Sequence, residues 1–290
     1  FGKSAFAWED ANIFGTYSYS ERNYYGRLRA VEFGKITGSY RDKLFMDMGS
    51  LEAVTLPNNV TEFGIHVING CLALRHVTIP AGTASLDGGS VGYSGLTSVS
   101  IPKSLVRLES CVFSGCKSLN RVCLNPGTTF AGSTSFDGAG ITFLRVPEGT
   151  PSLPLKFVYS CEKLERIVIP RSVKTIPEKA FAECGSLLEI DIPEGVTELP
   201  EWCFHNSKAL RRINLPSTLT TVKGYGLCTD AETGTTVLDF RSARQIPTLT
   251  DEYGVTRAAK IIVPDDLYES WKAADIWKKA ASVIVKASEA

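Results

Sequence analysis

The chain has 290 residues, with 31 basic and 31 acidic side chains, so its formal net charge is zero. Hydrophobic residues make up 43% and charged ones 21%, a balance that suits a folded domain and excludes a disordered tail. Neutrality removes the electrostatic case for nucleic acid or a membrane surface, and no window reaches the ~18 apolar residues of a membrane span.

The chain starts at Phe1 without Met, which predicts a processed product whose signal or lipid anchor has been removed. Residues 1–27 read as an N-terminal cap or partial repeat. Within them Tyr17, Tyr19, Tyr24 and Tyr25 have polar neighbours, a composition found at recognition surfaces. A hairpin whose rings cover the first coil is the simpler reading, because the end of a repeat stack must be covered.

From residue 28 one phrase recurs, Leu-x-x-Val-x-Ile-Pro. It starts at Leu51, Leu74, Leu96, Ile141, Leu164, Leu187 and Leu210. Leu119 starts the same phrase with Asn125 inserted before Pro126. Leu28, Val31 and Phe33 fit one period earlier, Ala258, Ile261 and Val263 one later, and residues 235–240 form a degraded copy. That makes eleven units with prolines 21 to 24 residues apart. The rest of each period is patterned too, most clearly as Val173, Ile176, Ala180, Phe181, Cys184 and Leu187.

Val-x-Ile describes a short strand with apolar residues on one face, and proline at its end removes a ladder donor and turns the chain. One unit cannot bury its own apolar face, whereas stacked units share a continuous core. The expected fold is a solenoid with a parallel sheet of about eleven short strands. Residues 127–141 and 225–240 are where the repeat register is least regular.

The eight cysteines follow the same pattern. Cys71, Cys116, Cys161 and Cys184 share one column, with Met48, Ser94 and Ser207 as substitutes. A column of one residue type matches buried thiols filling a narrow coil, not disulfide or metal geometry. Cys111 and Cys123 lie off the column, and Cys123 is the expected exposed thiol. No Cys-x-x-Cys pair exists, and His66, His76 and His205 are scattered, so no metal and no cofactor is expected.

Downstream of Pro264, Leu267, Trp271 and Ala274 have helical spacing, and Asp266 with Glu269 fits a capping box. Residues 265–290 therefore read as a C-terminal helical cap, with Ile276 and Trp277 continuing the contact and residues 283–285 adding a strand. The tryptophans also suit sugar stacking, but burial against the last coil is the preferred reading.

Over residues 28–264 the repeated phrase, the Ala-Phe-x-x-Cys phrase and the period together resemble the BspA-type leucine-rich repeat family of Bacteroides-like bacteria. The tail from Ile262 to Lys279 is similar to the ending of many such proteins. The resemblance implies a mostly β, right-handed leucine-rich-repeat solenoid of the α/β repeat class. It further implies a secreted or lipid-anchored cell-surface protein, without catalytic residues, that binds a protein or glycan on host cells or neighbouring bacteria.

The outward strand positions between the apolar ones give the candidate site. Early units carry small neutral residues there, such as Ala53, Thr55, Ser98 and Ser100. The middle carries Arg121, Arg145 and Arg166 around Phe143, then Glu189, Asp191 and Arg212. Arginine and aromatic residues are enriched where binding energy concentrates. Mixed charge that merely keeps a sheet face soluble is the bland alternative. No nucleophile elbow, phosphate-binding loop or metalloprotease helix is present, so no enzyme activity is expected. The leading function is adhesion-type recognition on the solenoid sheet face, and the rival is a passive spacer or surface-layer component.

Overall fold

The structure is a computed structural model that describes residues 29–32, 38–40, 42–57 and 60–290. The expected cap over residues 1–27, with its tyrosines, lies outside the described residues. The chain forms two compact units that divide between Ile141 and Thr142. Both are built from the same mostly β, parallel-strand coil.

In the first unit the strand Ala30–Glu32 pairs in parallel with Ala53–Thr55, and His76–Thr78 with Ser98–Ser100. In the second, Phe143–Arg145 pairs with Arg166–Val168. Glu189–Asp191, Arg212–Asn214, Val237–Asp239, Lys260–Val263 and Ile284–Lys286 follow as a five-stranded parallel sheet. The central apolar residue of most strands is buried, as at Val77, Leu144, Ile167, Ile190 and Ile213, whereas Val31, Val54 and Val99 are partly open. In the irregular segments, Arg107 pairs with Thr129 in the return stretch, a step of twenty-two, and Arg212 pairs with Val237, so the insertion adds two residues to a step of twenty-three. Arg121 makes a single bridge instead of a full strand. Beside it the inserted Asn125 turns inward, its side-chain amide donating to the carbonyls of Pro102 and Leu105.

A second parallel ladder runs through the return stretches. It joins Val60–Phe63, Ser85–Leu86, Arg107–Leu108 and Thr129–Phe130 in the first unit. In the second it joins Glu198–Leu199, Thr221–Val222 and Thr248–Leu249. The sequence reading has no counterpart to it, because two-residue strands leave no alternation to detect.

The turn that follows is bonded from coil to coil. N–H groups of alternate residues donate to the next coil: Cys111 to Ser133, Phe113 to Ser135 and Gly115 to Asp137. The second unit repeats this at Lys156, Val158 and Ser160. The alternation needs two left-handed residues per turn, four apart, such as Lys179 (φ 56°) with Glu183 (φ 59°). A left-handed non-glycine residue costs about 1–3 kcal/mol, and here each N–H gains a partner in an interior that would otherwise leave it unpaired.

The leucine and phenylalanine columns of the core are buried. Leu51, Leu74, Leu96 and Leu119 are fully buried, as are Leu164, Leu187 and Leu210. Phe113 stacks on Phe136 at 5.3 Å between ring centroids, and Phe181 on Phe204 at 5.7 Å. The cysteine column does more than fill space. Cys71 Sγ donates to the carbonyl of Phe45 (3.1 Å), Cys116 Sγ to that of Val91 (3.2 Å) and Cys184 Sγ to that of Val158 (3.3 Å). Ser207 Oγ does the same to Phe181 at 2.8 Å. A small donor at this column satisfies a carbonyl of the preceding coil, which explains why serine substitutes for cysteine.

At the C-terminal end Trp271 and Trp277 are buried, each 5.2 Å from Phe240, and Trp277 Nε1 donates to the carbonyl of Pro247. Neither indole is open to a sugar. The expected capping box does not form. The α-helix is Tyr268–Ala273, its N-cap is Leu267, and no side chain caps it. Asp265 instead accepts from the backbone N–H of Ser288, tying the tail to the helix entry.

Candidate functional site

Six of the seven predicted positions lie on the strand face of the second unit, and Arg121 lies, exposed, in the first. The site is therefore the face of the strands from Phe143 to Asp239. Parallel register with a period of two brings their alternate side chains onto one surface, with neighbouring strands ~4.8 Å apart.

That surface divides into two parts. Toward the C-terminus the charged groups are bonded to one another or to Asn214. Asn214 Nδ2 donates to Glu189 Oε1 (2.8 Å) and to Asp191 Oδ1 (2.6 Å). Arg212 Nε donates to Asn214 Oδ1 at 2.8 Å, and its Nη2 pairs with Asp239 Oδ2. Arg241 Nε donates to the same carboxylate at 2.9 and 3.0 Å. The Asp239 side chain is only 5% exposed. Burial raises its pKa, but hydrogen bonds from Arg241 and Arg212 outweigh burial and hold the carboxyl below the ordinary range. Arg212 is half-buried in this network, unlike the arginines before it.

Toward the N-terminal side of the unit the charges are unspent. Arg145 and Arg166 are exposed, and among the described residues their guanidinium groups make no hydrogen bond or ion pair. Phe143 and Val168, half-buried, complete the patch, with Phe143 paired to Arg166 and Arg145 to Val168. Each rank across the two strands thus offers one guanidinium and one apolar group.

Sequence reasoning missed two other clusters. Trp202 stacks on Tyr225 at 4.3 Å with 8° between ring planes, and Tyr225 lies 5.3 Å from Tyr253. Trp202 and Tyr225 are left-handed (φ 58° and 56°), one regular step of twenty-three residues apart in the return turn. Their ring faces are spent largely on each other. In the first unit His76 Nδ1 lies 2.8 Å from Ser98 Oγ, while Nε2 faces the hydroxyls of Thr78 and Ser100 at 3.4 Å. Among the described residues no carboxylate fixes this imidazole as a catalytic triad requires.

The cysteines are free: Cys123 is exposed, Cys111 partly exposed and the other six buried. Burial pushes the Cys71 and Cys184 thiols up to about 12 and also raises Cys116 and Cys203, so none is a ready nucleophile. Among the described residues no group of three or more His, Cys, Asp or Glu side chains is placed to hold a metal ion. Nor is any helix there long and apolar enough to cross a membrane.

A family model for the BspA type leucine rich repeat region matches the sequence in six copies over residues 38–161 and 152–232. Among solved structures, the chain is similar to a leucine-rich repeat protein of Bacteroides ovatus at 17% identity. That match covers 77% of this chain and 83% of the other, with a TM-score of 0.31. A leucine rich cell surface protein of Faecalibacterium prausnitzii is 19% identical, with 77% and 73% covered and a TM-score of 0.35. A leucine-rich repeat protein of Eubacterium ventriosum is 13% identical, with 85% and 83% covered and a TM-score of 0.41. Superpositions this loose add nothing to the topology already described. No curated protein matches the chain.

Proposed function

This chain belongs to the BspA-type leucine-rich repeat family, and on that premise we propose that it is a non-catalytic, extracellular recognition module. Its partner is a protein or glycan of a host or neighbouring bacterial surface, held against the strand face of the second unit. The observation that carries this reading is the contrast between neighbouring strands of the second unit. Glu189, Asp191, Arg212 and Asp239 are paired through Asn214 and Arg241, whereas Arg145 and Arg166 flank Phe143 and make no hydrogen bond or ion pair among the described residues. A face that only needed solubility has no reason to leave two adjacent guanidinium groups unpaired beside an aromatic ring. The coil fixes these side chains in register, so little ordering entropy is lost on binding.

The non-catalytic reading rests on the nucleophile-type residues: the column thiols are buried and held protonated, and His76 meets only hydroxyls. Location at the cell surface and a C-terminal cap over residues 265–290 belong to the same proposal. Pull-down from mucosal matrix protein mixtures together with a glycan array tests it. A recognition module retains a discrete partner and loses it in the Phe143→Ala and Arg145→Ala variants. A passive spacer retains nothing specific in either assay, and that result would reject the proposal.

A further inference from the structure

Resting on the strand-face reading above, we propose that the ligand of the Phe143–Arg145 and Arg166–Val168 pair is an extended polypeptide segment carrying glutamates two residues apart. Phe143 stands beside Arg166 in one rank, and Arg145 beside Val168 in the next, so the order of apolar and cationic groups reverses between them. Each rank matches one carboxylate carried on an apolar stem, which describes glutamate: the methylenes lie on Phe143 or Val168 and the carboxylate meets the guanidinium. Ranks along a strand repeat every two residues, about 6.6 Å, the same repeat that an extended polypeptide presents on one of its faces. A sulfated sugar supplies the anion without the apolar stem, so the alternation favours polypeptide.

The neighbouring strand sets the limit of the site. Glu189 and Asp191 are occupied by Asn214 and repel further carboxylates, so both glutamates of the ligand sit over the two strands that carry Arg145 and Arg166.

Fluorescence anisotropy with the full chain tests the proposal, using a labelled peptide of alternating glutamate and threonine. Four comparisons accompany it: the same peptide with glutamine for glutamate, one with the glutamates made adjacent in pairs, a heparin oligosaccharide, and the peptide at raised salt. The alternating peptide should bind and the glutamine peptide should not. Paired glutamates should bind more weakly, and salt should weaken binding. Arg145→Ala and Arg166→Ala should each cost about tenfold or more in Kd with an unchanged unfolding midpoint, while the exposed Arg244→Ala should change nothing. Equal binding of the glutamine peptide, no binding of the alternating one, or indifference to both arginines would overturn the proposal. If heparin is held through the two arginines and the peptide is not, the glutamate inference falls while the strand-face reading stands. If neither arginine affects anything the chain retains, the strand-face reading falls with it.

Discussion

A Cβ added to Gly95 would lie 1.9 Å from the carbonyl oxygen of Leu72, in the coil before it. Gly140 stands in the same relation to Lys117, at 2.1 Å. Both glycines immediately precede the first residue of the repeated phrase, Leu96 or Ile141, and both close a step of twenty-two residues where neighbouring steps have twenty-three. A coil one residue short draws its backbone against its neighbour, and only glycine fits. Gly95→Ala and Gly140→Ala should each destabilise by about 1–3 kcal/mol in urea denaturation. Gly185→Ala, whose added Cβ comes no closer than 3.8 Å to anything, should be nearly neutral. Equal effects at all three positions would contradict this account of the short coils.

The donor role of the cysteine column gives a second expectation. Removing the thiol from Cys184 leaves the carbonyl of Val158 without that donor, which should cost about 1–3 kcal/mol. Cys184→Ser keeps a donor, as Ser207 does one column position later, and should cost less than Cys184→Ala. Denaturant midpoints of the two variants measure the difference, and a serine variant weaker than the alanine one would show that packing alone governs the site.

Thiol labelling at neutral pH should modify Cys123 quickly and Cys111 slowly in the native chain, and all eight cysteines after denaturation. With Cys71 and Cys184 pushed up to about 12, raising the pH to 9 still leaves these two thiols protonated and unreactive. Mass spectrometry of timed samples counts the labels. Fast modification of the buried column would be incompatible with the stacked core.

Asp239 makes stability depend on pH in a defined direction. Its carboxyl titrates lower in the folded chain than in the unfolded one, where about 3.9 is ordinary. The stabilisation is therefore complete above that value and is lost as pH falls through the folded one. Asp239→Asn should lower stability by about 1–3 kcal/mol at pH 7 and flatten this part of the acid profile. Urea midpoints between pH 7 and pH 3 provide the check, and an unchanged acid slope in the variant would count against the network.

Trp271 is fully buried between Phe240 and Trp277. Trp271→Ala should cost about 3–5 kcal/mol. Deletion of residues 265–290 should expose the Phe240 side of the core and give insoluble product. A soluble, cooperatively unfolding truncation would contradict the capping role proposed for this segment.

The inward columns were legible because every unit repeats the same requirement: Leu187, Ile190, Phe181 and Cys184 each serve a position that recurs about every twenty-three residues. What was hidden is set by coil closure rather than by local preference. The left-handed turn position takes Lys179, Trp202 and Tyr225 in successive units, so no residue type marks it. Residues 235–240 were read in the register that the structure shows, Asp239 beside Asn214, but Asp239 was not counted among the outward residues, so its pairing with Arg212 was not drawn. The candidate site was legible as a set of outward residues. Its division into paired and unspent charges depends on Asn214, whose amide reaches Glu189 and Asp191 only when the strands are aligned, and on Arg241, two residues from Asp239.

The most direct test of the account is to titrate one retained partner against three forms of the full chain. These are the unaltered protein, a strand-face variant (Phe143→Ala, Arg145→Ala and Arg166→Ala combined), and a return-turn variant, Tyr253→Ala. The account predicts a Kd raised a hundredfold or more in the strand-face variant and unchanged in Tyr253→Ala. Full affinity in the strand-face variant, or a loss confined to Tyr253→Ala, would contradict it.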